Sequence, residues 1–245
     1  MPWVERSVGI AFGIGTQLLF AWTVVQLFTF LRYGVSSPLA FSWWFDTLLA
    51  MSFAVPHSVL LIPEVQRAIR LYLPAGWLGC LHCSITCCSL LIMTAVWTPS
   101  PYALWDLDGV GKSAVLGCFY AAWFALLYSI SLTGFGYQTG FTQWWYWLRG
   151  QTPPRREFVI RGAYRFLRHP IYLSFVGIVW FTPRMSLDHL LLASVWTVYI
   201  VVGSMAKDRR MAHYIGAPYC EYAARVGGYP LLRGTPLGKW PPLEA

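Results

Sequence analysis

Apolar runs of about 20 residues, nearly free of charge, alternate along this chain with short polar joints, the rhythm that a hydrocarbon core imposes on helices crossing it. Residues 8–31 make the first run. The few residues before it are too short and too weakly basic for a cleavable signal, so the run is predicted to remain as a span. Residues 41–62 form the second, opened by Trp43 and Trp44 at interface depth, with Asp46 close enough to that end to reach water. Pro56, His57 and Ser58 interrupt its apolar pattern. Residues 64–73 carry Arg67 and Arg70 on an amphipathic pattern that Pro74 stops. A third span follows at 76–97, then an acidic turn with Asp106 and Asp108, and a fourth span at 112–133.

After a Gly-rich stretch, Trp144, Trp145, Tyr146 and Trp147 stand in succession, a cluster suited to a helix lying along the membrane surface. Two further apolar segments, 170–183 and 186–205, are joined by a tight turn marked by Arg184 and Asp188, which predicts a helical hairpin whose first arm is short for a full crossing. The tail, 206–245, opens with a helical portion to residue 215 and breaks at Gly216 and Pro218.

Composition agrees: 57% of residues are hydrophobic and 11% charged. The expected fold is all-α, a polytopic membrane bundle of about six spans ending in a hairpin and a tail, with residues 1–245 as one domain. The net charge of +8 does not indicate nucleic acid, because the basic residues are scattered around spans and not gathered on a module. With six crossings, Arg32, Lys112 and Arg184 lie on one side, and the other 15 of the 18 Lys and Arg lie opposite. The positive-inside rule makes the crowded side cytoplasmic. Both termini, the loop 141–169 and the tail are then expected on the cytoplasmic face of the cell (inner) membrane. Nothing in the chain specifies the oligomeric state.

The candidate chemistry concentrates in residues 161–172, RGAYRFLRHPIY. Pro170 follows His169 at the mouth of an apolar run, where a fixed φ and a missing N–H suit the first helical residue. Arg161, Arg165, Arg168 and His169 therefore gather beside a helix N-terminus, where a carboxylate or phosphate is held by forked Arg contacts and unpaired N–H groups. The competing reading is that these Arg residues face lipid headgroups. His57 is either a neutral packing residue or part of a buried polar site, since ionisable groups within spans are functional candidates by default. Cys80, Cys83 and Cys87 share a helical face, but no second Cys or His pair stands at zinc-ligand spacing, and packing is the expected role; no metal is expected. Tyr219, Tyr222 and Arg225 in the tail belong either to a solvated amphipathic end or to a lid over a site in the hairpin.

YRFLRHPIY, followed by an apolar hairpin and the Gly216, Tyr219, Tyr222 spacing, resembles the isoprenylcysteine carboxyl methyltransferase superfamily of membrane methyltransferases. Within it the likeness is to the methanethiol S-methyltransferase branch and NnrU-like relatives. PHSVLLIPEVQRAIRLYLP at 56–74, TPSPYALWDL at 98–107 and WLRG at 147–150 extend it over residues 45–226. The resemblance implies S-adenosylmethionine as methyl donor and a small or lipid-soluble thiol as acceptor. It places Arg165, Arg168, His169, Pro170 and Tyr172 around the cofactor, with Tyr219 and Tyr222 closing over it. Asp208, standing with Lys207 where the family has paired Glu, and His57 are the expected catalytic residues. Asp208 is expected to point inward to an Arg of the 161–172 stretch or to the cofactor. Ser174 replaces a family Gly. The alternative is a non-catalytic NnrU-like protein of nitrogen-oxide metabolism, or a binder of a lipid or haem-like ligand.

Overall fold

In the computed structural model, which describes residues 3–154, 158–230, 232, 237 and 238, about 73% of the chain is helical. Parts of the expected loop 141–169 and of the tail lie outside the described residues. Helix α1 (Trp3–Tyr33) runs unbroken because no Pro interrupts it, with Glu5 in its first turn and Arg32 in its last complementing the helix dipole. Helix α2 (Trp43–Val59) is capped by Ser42, whose hydroxyl accepts from the Phe45 N–H. It contains Pro56, yet the chain does not break there. The bend of 77° falls before α3 (Pro63–Ile69), because Pro63 holds Ile62 in extended backbone and starts a new helix.

Helix α4 (Leu78–Val96) packs on α1 and α2, and Thr16 and Ser84 hydroxyls meet at 3.0 Å between α1 and α4. Cys80, Cys83 and Cys87 are buried along it. Strand β1 (Ala103–Asp106) is followed by α5 (Gly109–Thr133), a short α6 (Phe135–Gln138), and α7 (Phe141–Leu148). The Trp cluster on α7 does more than float at an interface. Trp144 Nε1 donates to the Gly9 carbonyl, and the Trp147 ring lies edge-on to Trp77, so small residues of α1 receive large rings of α7.

Helix α8 (Pro170–Trp180), strand β2 (Arg184–Ser186), α9 (Leu187–Ile215) and α10 (Ala217–Arg225) complete the chain, with β2 paired to β1. Among the described residues, four helices are long and apolar enough to cross a membrane: α1, α4 with the 3₁₀ turn before it, α5 and α9. The bent pair α2 and α3 makes a fifth if taken as one span. The six spans read from the sequence thus become four full-length helices, one bent pair and one short arm, for the 11 residues of α8 reach only about 16 Å. The protein is a multi-pass helical membrane protein. Where the sequence suggested a tail starting at 206, α9 simply continues to Ile215, so Lys207 and Asp208 sit on the same rigid rod as the apolar span.

Two compact units are distinguished. One comprises Met1–Leu104, Thr133–Arg155 and Ser186–Leu192; the other Trp105–Leu132, Arg156–Met185 and Ala193–Ala245. In the first, the expectation that Asp46 reaches water is overturned. Its side chain is fully buried, taking hydrogen bonds from the Thr98 N–H at 3.2 Å and hydroxyl at 2.8 Å. Asp188 does the same for residues on either side, accepting from Trp97 Nε1 and the Ser100 N–H. A turn whose N–H groups would otherwise be orphaned in an apolar setting draws carboxylates inward.

Candidate active site at the start of the last hairpin

Within the second unit, the segment leading into α8 divides its three Arg residues among three tasks. Arg161 caps the end of α5, its Nε and Nη2 donating to the Leu132 carbonyl, a cation placed at a helix C-terminus. Arg165 is exposed at the end of a 3₁₀ turn (Gly162–Arg165), with no hydrogen bond or ion pair among the described residues. Arg168 is only 2% exposed. Its Nε and Nη2 lie 3.0 and 2.9 Å from Asp208 Oδ2, its Nη1 donates to the carbonyls of Ala223 and Val226, and its Nη2 to that of Gly238. All five guanidinium N–H groups are thereby engaged. The forked anion contact expected of Arg168 is made, but with a carboxylate of the chain itself.

Asp208 is the hub. It is 5% exposed and reaches inward from α9, as expected. Oδ2 takes Arg168 and also His169 Nε2 at 3.1 Å, while Oδ1 takes the Tyr219 hydroxyl at 2.5 Å. One carboxylate therefore ties α9, the segment before α8, and α10 together, and Arg168 adds the tail through Gly238. The Arg168 N–H also donates to the Gly227 carbonyl, and the Gly228 N–H to Gly238. A Cβ on Gly228 would meet the Leu237 carbonyl at 2.5 Å, so only Gly allows the tail this close.

His169 precedes Pro170, which is the first residue of α8 as its fixed φ demands. Burial pushes the His169 pKa below its ordinary value, against the pull of Asp208, so the ring is neutral at pH 7. Nε2 then carries the proton it donates to Asp208. Nδ1 is left as a lone pair, buried and without a hydrogen-bond partner among the described residues. Tyr172 and Tyr229 flank the ring, each with its centroid 5.5 Å away. Lys207 lies over the Tyr172 ring at 5.4 Å.

Tyr219 and Tyr222 do not stand free as a lid. They are buried with Ala212 and Ala223 in the core between α9 and α10, and the Tyr222 hydroxyl donates to the Tyr164 carbonyl at 2.7 Å. Burial, reinforced for Tyr219 by the Asp208 carboxylate, holds both phenols well above their usual range, so they are donors and not bases. Phe158 packs at 5.6 Å on each ring. Gly216, with φ of +74°, turns the chain between the two helices.

The structure thus brings Arg168, His169, Pro170, Tyr172, Asp208, Tyr219 and Tyr222 together and leaves Arg165 at the surface. His57 belongs to the first unit. Its Nδ1 lies 3.3 Å from the Thr86 hydroxyl, its carbonyl accepts from His82 Nε2, and the two imidazoles are 4.6 Å apart. Sequence reasoning missed Tyr229, Gly228 and the carbonyls of Ala223, Val226 and Gly238. The Gly227, Gly228 pair was the visible signal, since adjacent glycines permit close backbone approach; a carbonyl acceptor leaves no mark in sequence.

Curated relatives align over most of the chain. A methanethiol S-methyltransferase of a Pseudomonas species is 26% identical over 238 residues, 91% of this chain and 89% of that protein. One from Pseudomonas deceptionensis is 29% identical over 205 residues, 83% and 78% of the two. A Nurim homolog of Drosophila pseudoobscura pseudoobscura is 30% identical over 180 residues, 69% and 70%. No protein-family model matches, and no solved structure does.

Proposed function

Since the chain belongs to the isoprenylcysteine carboxyl methyltransferase-like family of membrane proteins, we propose that it is an S-adenosylmethionine-dependent methyltransferase acting on a small or lipid-soluble thiol of the methanethiol kind. The observation that carries the reading is the Asp208 hub, which holds a neutral His169 with an unused buried acceptor beside Tyr172 and Tyr229. When bound, the donor would supply an electrophilic methyl on a sulfonium; the acceptor sulfur would take that methyl as the donor's S–CH3 bond breaks to leave a neutral thioether, and the thiol proton would pass to water.

The residues fit such a group. His169 Nδ1 is an acceptor awaiting a hydroxyl or ammonium donor, and an orphaned buried acceptor is costly unless a ligand meets it. The faces of Tyr172 and Tyr229 suit a purine and a cation. Arg165, whose side chain is unengaged among the described residues, is the guanidinium available to a carboxylate, whereas Arg168 positions. Asp208, by fixing Arg168 and His169, keeps the acceptor aimed, and a water-poor setting favours in-line alignment over solvation.

Methyl-labelled donor and a panel of small thiols, given to protein purified in detergent, test this directly. Labelled thioether is the expected product, and failure of S-adenosylhomocysteine to bind in calorimetric titration removes the reading. The same titration separates the arginines. Arg165→Ala is expected to weaken S-adenosylhomocysteine binding by about 1.5–3 kcal/mol with thermal stability unchanged, the scale of a charge-assisted hydrogen bond. A variant with unaltered affinity shows that Arg165 serves headgroups instead.

A second reading is a family member that keeps the fold without transferring methyl groups. What favours it is that Arg168, Tyr219 and Tyr222 spend their polar atoms on the chain itself. Absence of cofactor binding distinguishes it.

We also place both termini on the cytoplasmic side of the cell membrane, from the asymmetry of basic residues. A reporter fused after Ala245 that is active only in the cytoplasm is the expected result; periplasmic activity inverts the topology.

A further inference from the structure

We propose that a cleft of the first unit, framed by α3, the start of α4 and the α6–α7 segment, binds the headgroup of an anionic, hydroxyl-bearing phospholipid of the phosphatidylglycerol type. The cleft has a volume of about 230 Å³, with Gln66, Arg70, His82, Tyr137 and Gln143 as its polar lining and leucines, Ile69, Ala75 and Gly79 as its walls.

Its position points to a lipid. Helix α3 leaves α2 at 77°, so where α2 descends through the membrane α3 runs near its surface. Ile62, Leu71 and Tyr72 around it are exposed, the last two by 80 and 85%, side chains that an interface covers with acyl chain and headgroup. The polar lining then defines the headgroup. Arg67, the other cation of α3, is paired with Glu64 at 2.7 Å. Arg70 lines the cleft, and its side chain, with no hydrogen bond or ion pair among the described residues, offers a whole guanidinium to a phosphate.

Deeper in, the requirement changes from anion to hydroxyl. Gln143 Oε1 is buried with no partner among the described residues. A hydroxyl, donor and acceptor at once, satisfies that position whether the amide's oxygen or its nitrogen faces it. His82 Nε2 donates to the His57 carbonyl, which leaves Nδ1 as an acceptor for a second hydroxyl. Gln66 is already spent, its amide donating to the Leu60 carbonyl and stiffening the wall. A guanidinium at the rim that is unpaired among the described residues, an orphaned amide atom and an imidazole acceptor within, and an apolar surround match a phosphate followed by a diol.

Native mass spectrometry of delipidated protein in detergent tests this with four probes: dioleoyl phosphatidylglycerol, dioleoyl phosphatidylcholine, dioleoyl phosphatidylethanol, which has the charge without the hydroxyls, and inorganic phosphate. Phosphatidylglycerol is expected to bind roughly tenfold more tightly than phosphatidylcholine, as one charge-assisted contact allows, and more tightly than phosphatidylethanol. Arg70→Gln is expected to abolish the first preference, while Arg67→Gln, at a paired position outside the cleft, leaves it intact. Gln143→Leu is expected to abolish the second. Equal binding of phosphatidylglycerol and phosphatidylcholine, or a preference that survives Arg70→Gln, overturns the assignment. Displacement of phosphatidylglycerol by millimolar inorganic phosphate also overturns it, showing a site for a free anion.

Discussion

Asp208→Asn is expected to lower methyl transfer at least tenfold and to destabilise the protein by about 3–5 kcal/mol, the cost of removing one partner from a buried ion pair. The size follows from what Asp208 holds. Arg168 is nearly inaccessible, and without the carboxylate its positive charge keeps only neutral carbonyls. The single amide oxygen accepts at most two of the hydrogen bonds now offered by Arg168, His169 and Tyr219, and it cannot neutralise the guanidinium. In a chain of this length the loss corresponds to a fall in melting temperature of roughly 10 °C, measurable by scanning fluorimetry in detergent. Asp208→Glu separates charge from fit. It retains the anion but adds a methylene where three partners already lie within 3.1 Å, so overpacking costs about 1–3 kcal/mol while the pairing with Arg168 survives. An Asp208→Asn protein as stable and active as the wild type would show that the carboxylate is a solvated bystander.

The second large effect concerns Gly140, in the first unit. Its φ is +78°, and a Cβ there would come within 2.2 Å of the backbone at Gly79 and Cys80. The helix start and the turn before α7 touch main chain to main chain, with Cys80 Sγ donating to the Gly140 carbonyl. Gly140→Ala combines left-handed strain, about 1–2 kcal/mol, with an overpacked contact that has no flexible side chain to give way, about 1–3 kcal/mol more. Gly150→Ala is the control: its φ is +66°, but nothing lies within 4 Å of the added carbon, so only the strain is felt. Folded yield after detergent extraction should fall sharply for the first and slightly for the second. Equal behaviour of the two would mean that backbone strain alone matters and the close approach does not.

The contrast between Arg165 and Arg168 bears on how sites of this kind are read. Both belong to the same motif, and by charge alone both are anion ligands. The structure makes one an exposed cation with no side-chain partner among the described residues and the other a buried bolt whose every guanidinium donor is used. Likewise Tyr219 and Tyr222, which the family likeness sets over the cofactor, spend their hydroxyls on Asp208 and on the Tyr164 carbonyl.

The sequence by itself determined the class of the protein, because membrane crossing is written in run length and charge, quantities local to the chain. It also located Pro170 as a helix start, Gly216 as a break and Asp208 as an inward carboxylate, the last because no neighbour at helical spacing could pair with it. Tertiary structure alone decided the rest. Asp46 looked close to water by its distance from a span end, yet it is buried, since Thr98, 52 residues away in sequence, needed its oxygens. The bend near residue 60 follows Pro63 and not Pro56, because a helix interior tolerates a Pro that its neighbours accommodate, whereas a Pro at a helix start redirects the chain. The division of labour among Arg161, Arg165 and Arg168 depends on which carbonyls and carboxylates lie within hydrogen-bond distance of each. Those partners come from α5, α9, α10 and the tail, and hydrogen bonding to groups so distant along the chain is a property of the packed molecule and of no local pattern.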